Sequence, residues 1–308
     1  VQFGFSIFFT RHLHLCKANS MAIFYPLLPK NAHILTEPTH TELPQQQAIT
    51  VLCPMNISML GSGNVATVLA RMAHQRGHRV VQVYSRNRLH AEELADLVQA
   101  QPINDLALLN PDSDLYIAAV TDGGVAELAA HLQMPRGVLI HTAGALPMDV
   151  LAATGLNYGV LYPLQSLRKE KLDYDPFPLL TQASTPENLA LLTDFAESLS
   201  PIVKQTTNQE RLQLHVAAVI ANNFTNHLYA LAQQYCTRHK ISFDLLKPLI
   251  IETAMRTEIY SPLAMQTGPA LRGDLATIAT HLDQLQGSPQ LAQLYEVLSA
   301  SIANLHSN

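Results

Sequence analysis

From Met55 onward, short apolar runs alternate with amphipathic stretches. Asn56–Leu60 reads as a strand, and Val65 to Arg76 carries a helical period that Gly77 ends as a left-handed cap would. Val80–Tyr84 is apolar enough for a buried parallel strand, and Leu89 to Ala100 predicts a helix with Glu92, Glu93 and Asp96 on its wet face. Leu115–Val120 predicts a further buried strand, Val125–Leu132 a helix, and Val138–Ile140 and Tyr158–Leu161 short strands. Pro186–Leu199 reads as an amphipathic helix and Ile202-Val203 as a last short strand. Strands and helices taking turns in this way predict a doubly wound α/β domain with a parallel sheet.

The style changes near Thr206. From Asn208 onward the reading is helical, with no strand. Gln209 to His239 is the longest periodic run and is apolar on nearly every side, so it is expected to be buried, inside a domain or between subunits. The expected organisation is a sheet domain over 55–206 and an all-helical domain over 207–308. Residues 1–54 lack this order. Pro26, Pro29, Pro38 and Pro44 punctuate them, and Val1–Thr10 is too short to span a bilayer. They read as a misassigned upstream extension or a disordered leader, with a transit peptide as the alternative.

With 48% apolar and 14% charged residues the chain is a globular protein, not a disordered one. A net charge of −5 gives no basic footprint for nucleic acid. Cys16, Cys53 and Cys236 are too far apart for a metal-ligand or disulfide pattern, which fits a reducing, cytoplasmic compartment. No membrane partner and no metal are expected.

Chemistry concentrates at strand ends. After the first strand comes Gly61-Ser62-Gly63-Asn64-Val65-Ala66, a Gly-x-Gly-x-x-Ala turn opening a helix. Gly61 suits the tight turn, Gly63 lets backbone approach a pyrophosphate, and Ala66 lets the helix pack on the strand. The open helix N-terminus attracts phosphate charge, so Gly61, Ser62, Gly63, Asn64 and Val65 are candidate dinucleotide-binding residues. The second strand runs into Ser85-Arg86-Asn87-Arg88, where an NAD site usually carries an acid. Guanidinium and hydroxyl groups there favour a 2′-phosphate, hence NADP, with Ser85, Arg86 and Asn87 as contacts. Solvated loop arginines are the plainer alternative. Val120, Thr121, Thr142 and Gln165 leave later strand ends, as a cleft floor requires.

On the long helix His215, Asn222 and Asn226 fall on one line at 3.6 residues per turn, with Asn223 beside them. Buried polar groups need partners: a ligand, or backbone across a subunit interface. His215 has the chemistry to donate a proton to a developing anion. Arg272 precedes Asp274, which predicts an N-cap for a helix from Leu275 to Leu285. Arg272 reads either as an anion holder or as a solvated charge.

Asn56–Ala66, Leu115–Val120 with Asp122, Tyr162-Pro163-Leu164-Gln165 and, above all, Thr267-Gly268-Pro269, Arg272-Gly273-Asp274 and His281-Leu282 resemble a bacterial family. It is the family of Rossmann-like proteins with a helical C-terminal domain of unknown function. That family is related to deazaflavin-dependent NADP oxidoreductase and pyrroline-5-carboxylate reductase, and more remotely to the β-hydroxyacid dehydrogenases. The resemblance covers Met55 to Leu305. It implies a Rossmann-type sheet followed by an all-helical domain of the 6-phosphogluconate dehydrogenase C-terminal type, which dimerises. The catalytic Lys of the β-hydroxyacid dehydrogenases is missing; His215, Val219, Asn222 and Asn223 occupy the corresponding region. Family members often carry His where this chain has Tyr162.

The leading expectation is therefore an NADP(H)-dependent oxidoreductase, a homodimer through its helical domain. A small substrate would be held between the two domains, with His215 and Asn222 as catalytic residues and Thr142, Gln165, Asn226 and Arg272 as substrate contacts. The alternatives are a non-catalytic NADPH-binding sensor or scaffold dimer, and a helical interaction protein with a merely structural glycine turn.

Overall fold

The structure, a computed structural model, describes residues 53–132, 136–155 and 157–307. The leader expected over 1–54 falls, up to residue 52, outside the described residues. The first elements are β1 (Asn56–Leu60), α1 (Asn64–Gln75), β2 (Arg79–Tyr84), α2 (Arg88–Val98) and β3 (Gln101–Ile103). Then come β4 (Leu115–Ala118), α3 (Asp122–His131), β5 (Val138–His141) and β6 (Asn157–Pro163). The last are β7 (Leu179–Ala183), α4 (Pro186–Leu199) and β8 (Val203–Gln205).

These strands form one eight-stranded sheet in the order β3-β2-β1-β4-β5-β6-β7-β8. From β1 the chain winds outward through β2 and β3, then returns to lay β4 on β1's other side. The crevice at the carboxyl ends of β1 and β4 is where open α/β sheets bind their ligands. The pairing of β6 with β7 is antiparallel, so the sheet is parallel-dominated, not wholly parallel. Neither β7 nor β3 is in the sequence reading. β3 is Gln-Pro-Ile, too short for alternation, and its proline is tolerated because the strand lies at the sheet edge.

Period-two alternation divides the core between the sheet's two faces. Leu115 and Ile117 of β4 pack in one cluster with Leu69, Leu94 and Phe195 of α1, α2 and α4. Tyr116 and Ala118 pack in another with Val125 and Leu128 of α3. Each fully buried Leu or Ile contributes about 1.5–3 kcal/mol. Helix α1 stops where expected: Gly77 takes φ 85, and the His78 N–H returns to the Ala73 carbonyl at 3.0 Å.

A first compact unit ends at Leu212 and a second starts at Gln213. The elements after β8 are helical: α5 (Asn208–Ala218), a π-helical stretch Val219–Phe224, α6 (Thr225–Arg238), α7 (Lys247–Arg256), α8 (Pro269–Arg272), α9 (Leu275–Gln284) and α10 (Pro289–Leu305). A capping box starts α5: Glu210 Oε2 accepts from the Thr207 N–H at 2.8 Å, and Thr207 Oγ1 accepts from the Glu210 N–H at 3.2 Å. Asp274 caps α9 as expected, accepting from the Thr277 N–H at 3.0 Å.

The long helical run is expected to be buried inside a domain or between subunits; within the chain it is not, since Val216, Ile220 and Phe224 are 52%, 58% and 59% exposed. Nor do His215, Asn222 and Asn226 share one line. The π-helical turn is wider than an α-turn, so residues in and beyond Val219–Phe224 rotate off the azimuth His215 sets. Among the described residues no helix is long and apolar enough to cross a membrane.

Candidate functional site

At the carboxyl end of β1 the backbone turns at Gly61, whose φ is 124 and whose N–H donates to the Tyr84 carbonyl at 2.8 Å. A Cβ there would lie 2.3 Å from the Ala119 carbonyl oxygen, so the turn and the packing of β1 on the β4 exit both require glycine. Gly63 is different. Its φ of −80 suits any residue, and a Cβ built on it would meet nothing within 4 Å. Packing within the protein does not call for glycine at position 63; close approach by something outside would.

Gly63 is the N-cap of α1, no side chain caps that helix, and its first turn holds no acid. The first N–H groups of α1 are thus left for an external acceptor, beside the positive end of the helix dipole. Ala66, fully buried, lets α1 lie close on the sheet. The Asn64 side chain turns away, with Oδ1 accepting from the Lys169 N–H at 3.1 Å. Ser62 Oγ donates to Ser85 Oγ at 3.0 Å, joining the glycine turn to the end of β2.

Beyond β2, Arg88 is engaged by Glu92 at 2.8 Å, and Asn87 caps α2 by accepting from the Leu89 N–H at 3.0 Å. Arg86 has a 76% exposed side chain, and its one ion pair among the described residues is with Glu127 of α3, at 3.5 Å. Ion pairs this exposed contribute little, so its guanidinium is available to a stronger anion. Across the crevice, Thr121 accepts from the Gly124 N–H at 3.3 Å and so caps α3.

A cavity of about 600 Å³ gathers these groups. Gly61, Ser62, Gly63, Asn64, Val65, Ser85, Arg86, Asn87, Val120, Thr121 and Thr142 all line it. Tyr84, His90 and Ala119 line it too and were not anticipated from sequence. Tyr84 closes β2, and His90 stands one turn beyond Asn87, so strand and helix phase were the available signals. A second cavity of about 350 Å³ shares Tyr84, Arg86 and Val120 and extends between Leu106 and Leu128. The donor set suits a dinucleotide phosphate: backbone N–H groups at α1, and a hydroxyl with a guanidinium at the end of β2.

The other sequence candidates stand elsewhere. Gln165, past the end of β6, is exposed, and its Oε1 accepts from the Ser166 N–H at 2.8 Å. His215 is half-buried on α5, while Asn222, Asn226 and Arg272 are exposed on the π-helical stretch, α6 and α8. Neither Asn222 nor Asn226 is thus buried within the chain. Among the described residues no group of three or more His, Cys, Asp or Glu could hold a metal ion.

Sequence reasoning also missed the fastening of the loop after β5. His141 is fully buried. Its Nδ1 accepts from the Ala143 N–H at 3.2 Å, which leaves Nε2 to donate to the Pro147 carbonyl at 3.4 Å. Burial, then the nearby Arg211 charge, push its pKa down to about 4, so the ring is neutral near pH 7.

Two family models match the chain. One, described as NADP oxidoreductase coenzyme F420-dependent, covers residues 56–143; the other, a domain of unknown function (DUF2520), covers 177–302. A solved structure of a candidate NADP oxidoreductase from Bacteroides fragilis is 40% identical, spans 82% of this chain and 98% of its own, and has a TM-score of 0.78. A Thermotoga maritima protein is 19% identical over 82% of this chain and all (100%) of its own, with a TM-score of 0.68. An imine reductase from Pseudomonas sp. is 15% identical over 83% of this chain and 99% of its own, with a TM-score of 0.62. A search of curated proteins finds no match.

Proposed function

Because the chain belongs to the family of the candidate NADP oxidoreductase from Bacteroides fragilis, pairing an F420-dependent-type Rossmann domain with a DUF2520 domain, we propose that it is an NADP(H)-dependent oxidoreductase acting on a small molecule. The observation that carries this is the convergence of an uncapped α1, Ser85 and a lightly held Arg86 on one cavity, with no acid ending β2. Gly61, Ser62, Gly63, Asn64 and Val65 would cradle the pyrophosphate through main-chain N–H groups. Ser85, Arg86 and Asn87 would take the 2′-phosphate, with Val120 and Thr121 as the facing wall. The chemistry the coenzyme supplies when bound is hydride transfer.

For substrate handling we propose His215 and Asn222 as the residues that polarise the reacting group, and Thr142, Gln165, Asn226 and Arg272 as contacts. Imines head the candidate substrates, because the low-identity fold neighbours include an imine reductase, a pyrroline-5-carboxylate reductase and a reductive aminase solved with NADPH. We also propose a cytoplasmic homodimer through the helical unit, supported by the exposed Val216, Ile220 and Phe224. Consumption of NADPH across cyclic imines, keto acids and a deazaflavin tests the reading; turnover of one class identifies the substrate. Tight NADPH binding with no turnover of any class would favour a coenzyme-binding sensor or scaffold dimer instead.

A further inference from the structure

Arg211, in the first turn of α5, is 1% exposed and makes no ion pair with a carboxylate among the described residues. Its neighbour Glu210 is committed to Thr207. A buried guanidinium without a counter-charge is costly, and an apolar residue of similar volume would often serve stability as well. The oxygens it binds indicate what it does instead. Nη1 donates to Gln182 Oε1 of β7 at 2.6 Å, while Nη2 donates to the Leu146 carbonyl and to Asn208 Oδ1. Asn208 Oδ1 also accepts from the Met148 N–H at 2.9 Å. His141 holds Ala143 and Pro147 of the same loop. The segment 143–148 is therefore fastened at Ala143, Leu146, Pro147 and Met148, and it begins immediately after Thr142, which lines the cavity.

Sheet order says which end of a dinucleotide meets Thr142. Arg86 follows β2, the glycine turn follows β1, and Thr142 follows β5. With strands about 4.8 Å apart, Thr142 lies roughly 14 Å across the sheet from Arg86. An adenosine 2′-phosphate held at Arg86 and a pyrophosphate over β1 leave the nicotinamide end at β5.

We propose that Arg211 and His141 are positioning residues, a buried clamp that fixes the 142–148 loop as the wall seating the nicotinamide end of NADP(H). The proposal rests on the coenzyme reading above and assigns that site a second, internal layer. Neither residue touches the coenzyme; both act through Thr142 and the loop backbone.

The test compares two ligands. NADPH spans the whole site, whereas 2′,5′-ADP stops at the adenosine 5′-phosphate. Arg211→Met is expected to weaken NADPH about tenfold while 2′,5′-ADP stays within about twofold. Arg211→Lys, which keeps the charge but not the fork, is expected to restore part of the loss. General loss of structure would weaken both ligands together, so equal weakening, or no change in either, overturns the proposal. If Arg211→Met does not fold, Asn208→Ala removes the Met148 tie and is expected to lower the affinity ratio about threefold; an unchanged ratio overturns the proposal. Failure of the unaltered protein to bind either ligand would instead overturn the coenzyme reading, and this one with it.

Discussion

A Cβ on Gly61 would lie 2.3 Å from the carbonyl oxygen of Ala119 and clash with it, whereas a Cβ on Gly63 would meet nothing within 4 Å. The two glycines of one turn therefore answer to different constraints. Gly61→Ala combines a positive φ with a backbone clash and should destabilise the fold by about 2–4 kcal/mol. Gly63→Ala should change stability by no more than about 1 kcal/mol, since the backbone is already ordinary there and the loss is only of the better N-cap, yet should weaken NADPH markedly. Thermal melts and coenzyme titrations on both variants check the contrast. Equal behaviour of the pair would remove the case for a ligand at Gly63.

Arg86 should carry the choice of coenzyme. Arg86→Ala forfeits a charge-assisted contact of about 1.5–3 kcal/mol, so the ratio of NADH to NADPH dissociation constants should fall at least about tenfold with no change in stability. Glu127→Gln removes the acid beside Arg86 and should move the ratio the other way. An Arg86→Ala protein with an unchanged ratio would place the 2′-phosphate elsewhere.

Acid should loosen the fold through His141. Its folded pKa of about 4 lies below the 6.5 of an unfolded histidine. Between those values the unfolded chain binds more protons, so the contribution is complete above pH 6.5 and is lost as pH falls toward 4. The full span is worth up to about 3 kcal/mol. Denaturant unfolding across this range should show stability rising with pH, and His141→Asn should flatten the slope. His78, whose pKa burial also lowers, contributes with the same sign.

The helical unit is expected to self-associate. Val216→Asp with Phe224→Asp places charges on the exposed apolar face of the long helical run and should yield monomers in sedimentation experiments. A parent chain that is already monomeric at micromolar concentration would refute the dimer.

Legibility in the sequence followed the range of the signal. Gly61 to Ala66, the Gly77 cap and the Asp274 cap are local, and residues a few positions apart determine them. Arg86 and Thr121 could be placed because strand ends in a wound sheet converge by topology. β3 and β7 were invisible: one is a three-residue edge strand with a proline, the other is defined by its antiparallel partner β6. The line through His215, Asn222 and Asn226 failed because a π-helical turn has no period of 3.6. The Arg211 network lay hidden because Leu146 and Gln182 are distant in the chain and two of its acceptors, on Gln182 and Asn208, are side-chain amides.

Calorimetric titration of the full chain with NADPH and with NADH tests the central claim most directly. Saturable one-site binding of NADPH at least about tenfold tighter than NADH, markedly weakened in Gly63→Ala, is the expected result. No saturable binding of either coenzyme, or binding that Gly63→Ala leaves intact, would contradict it.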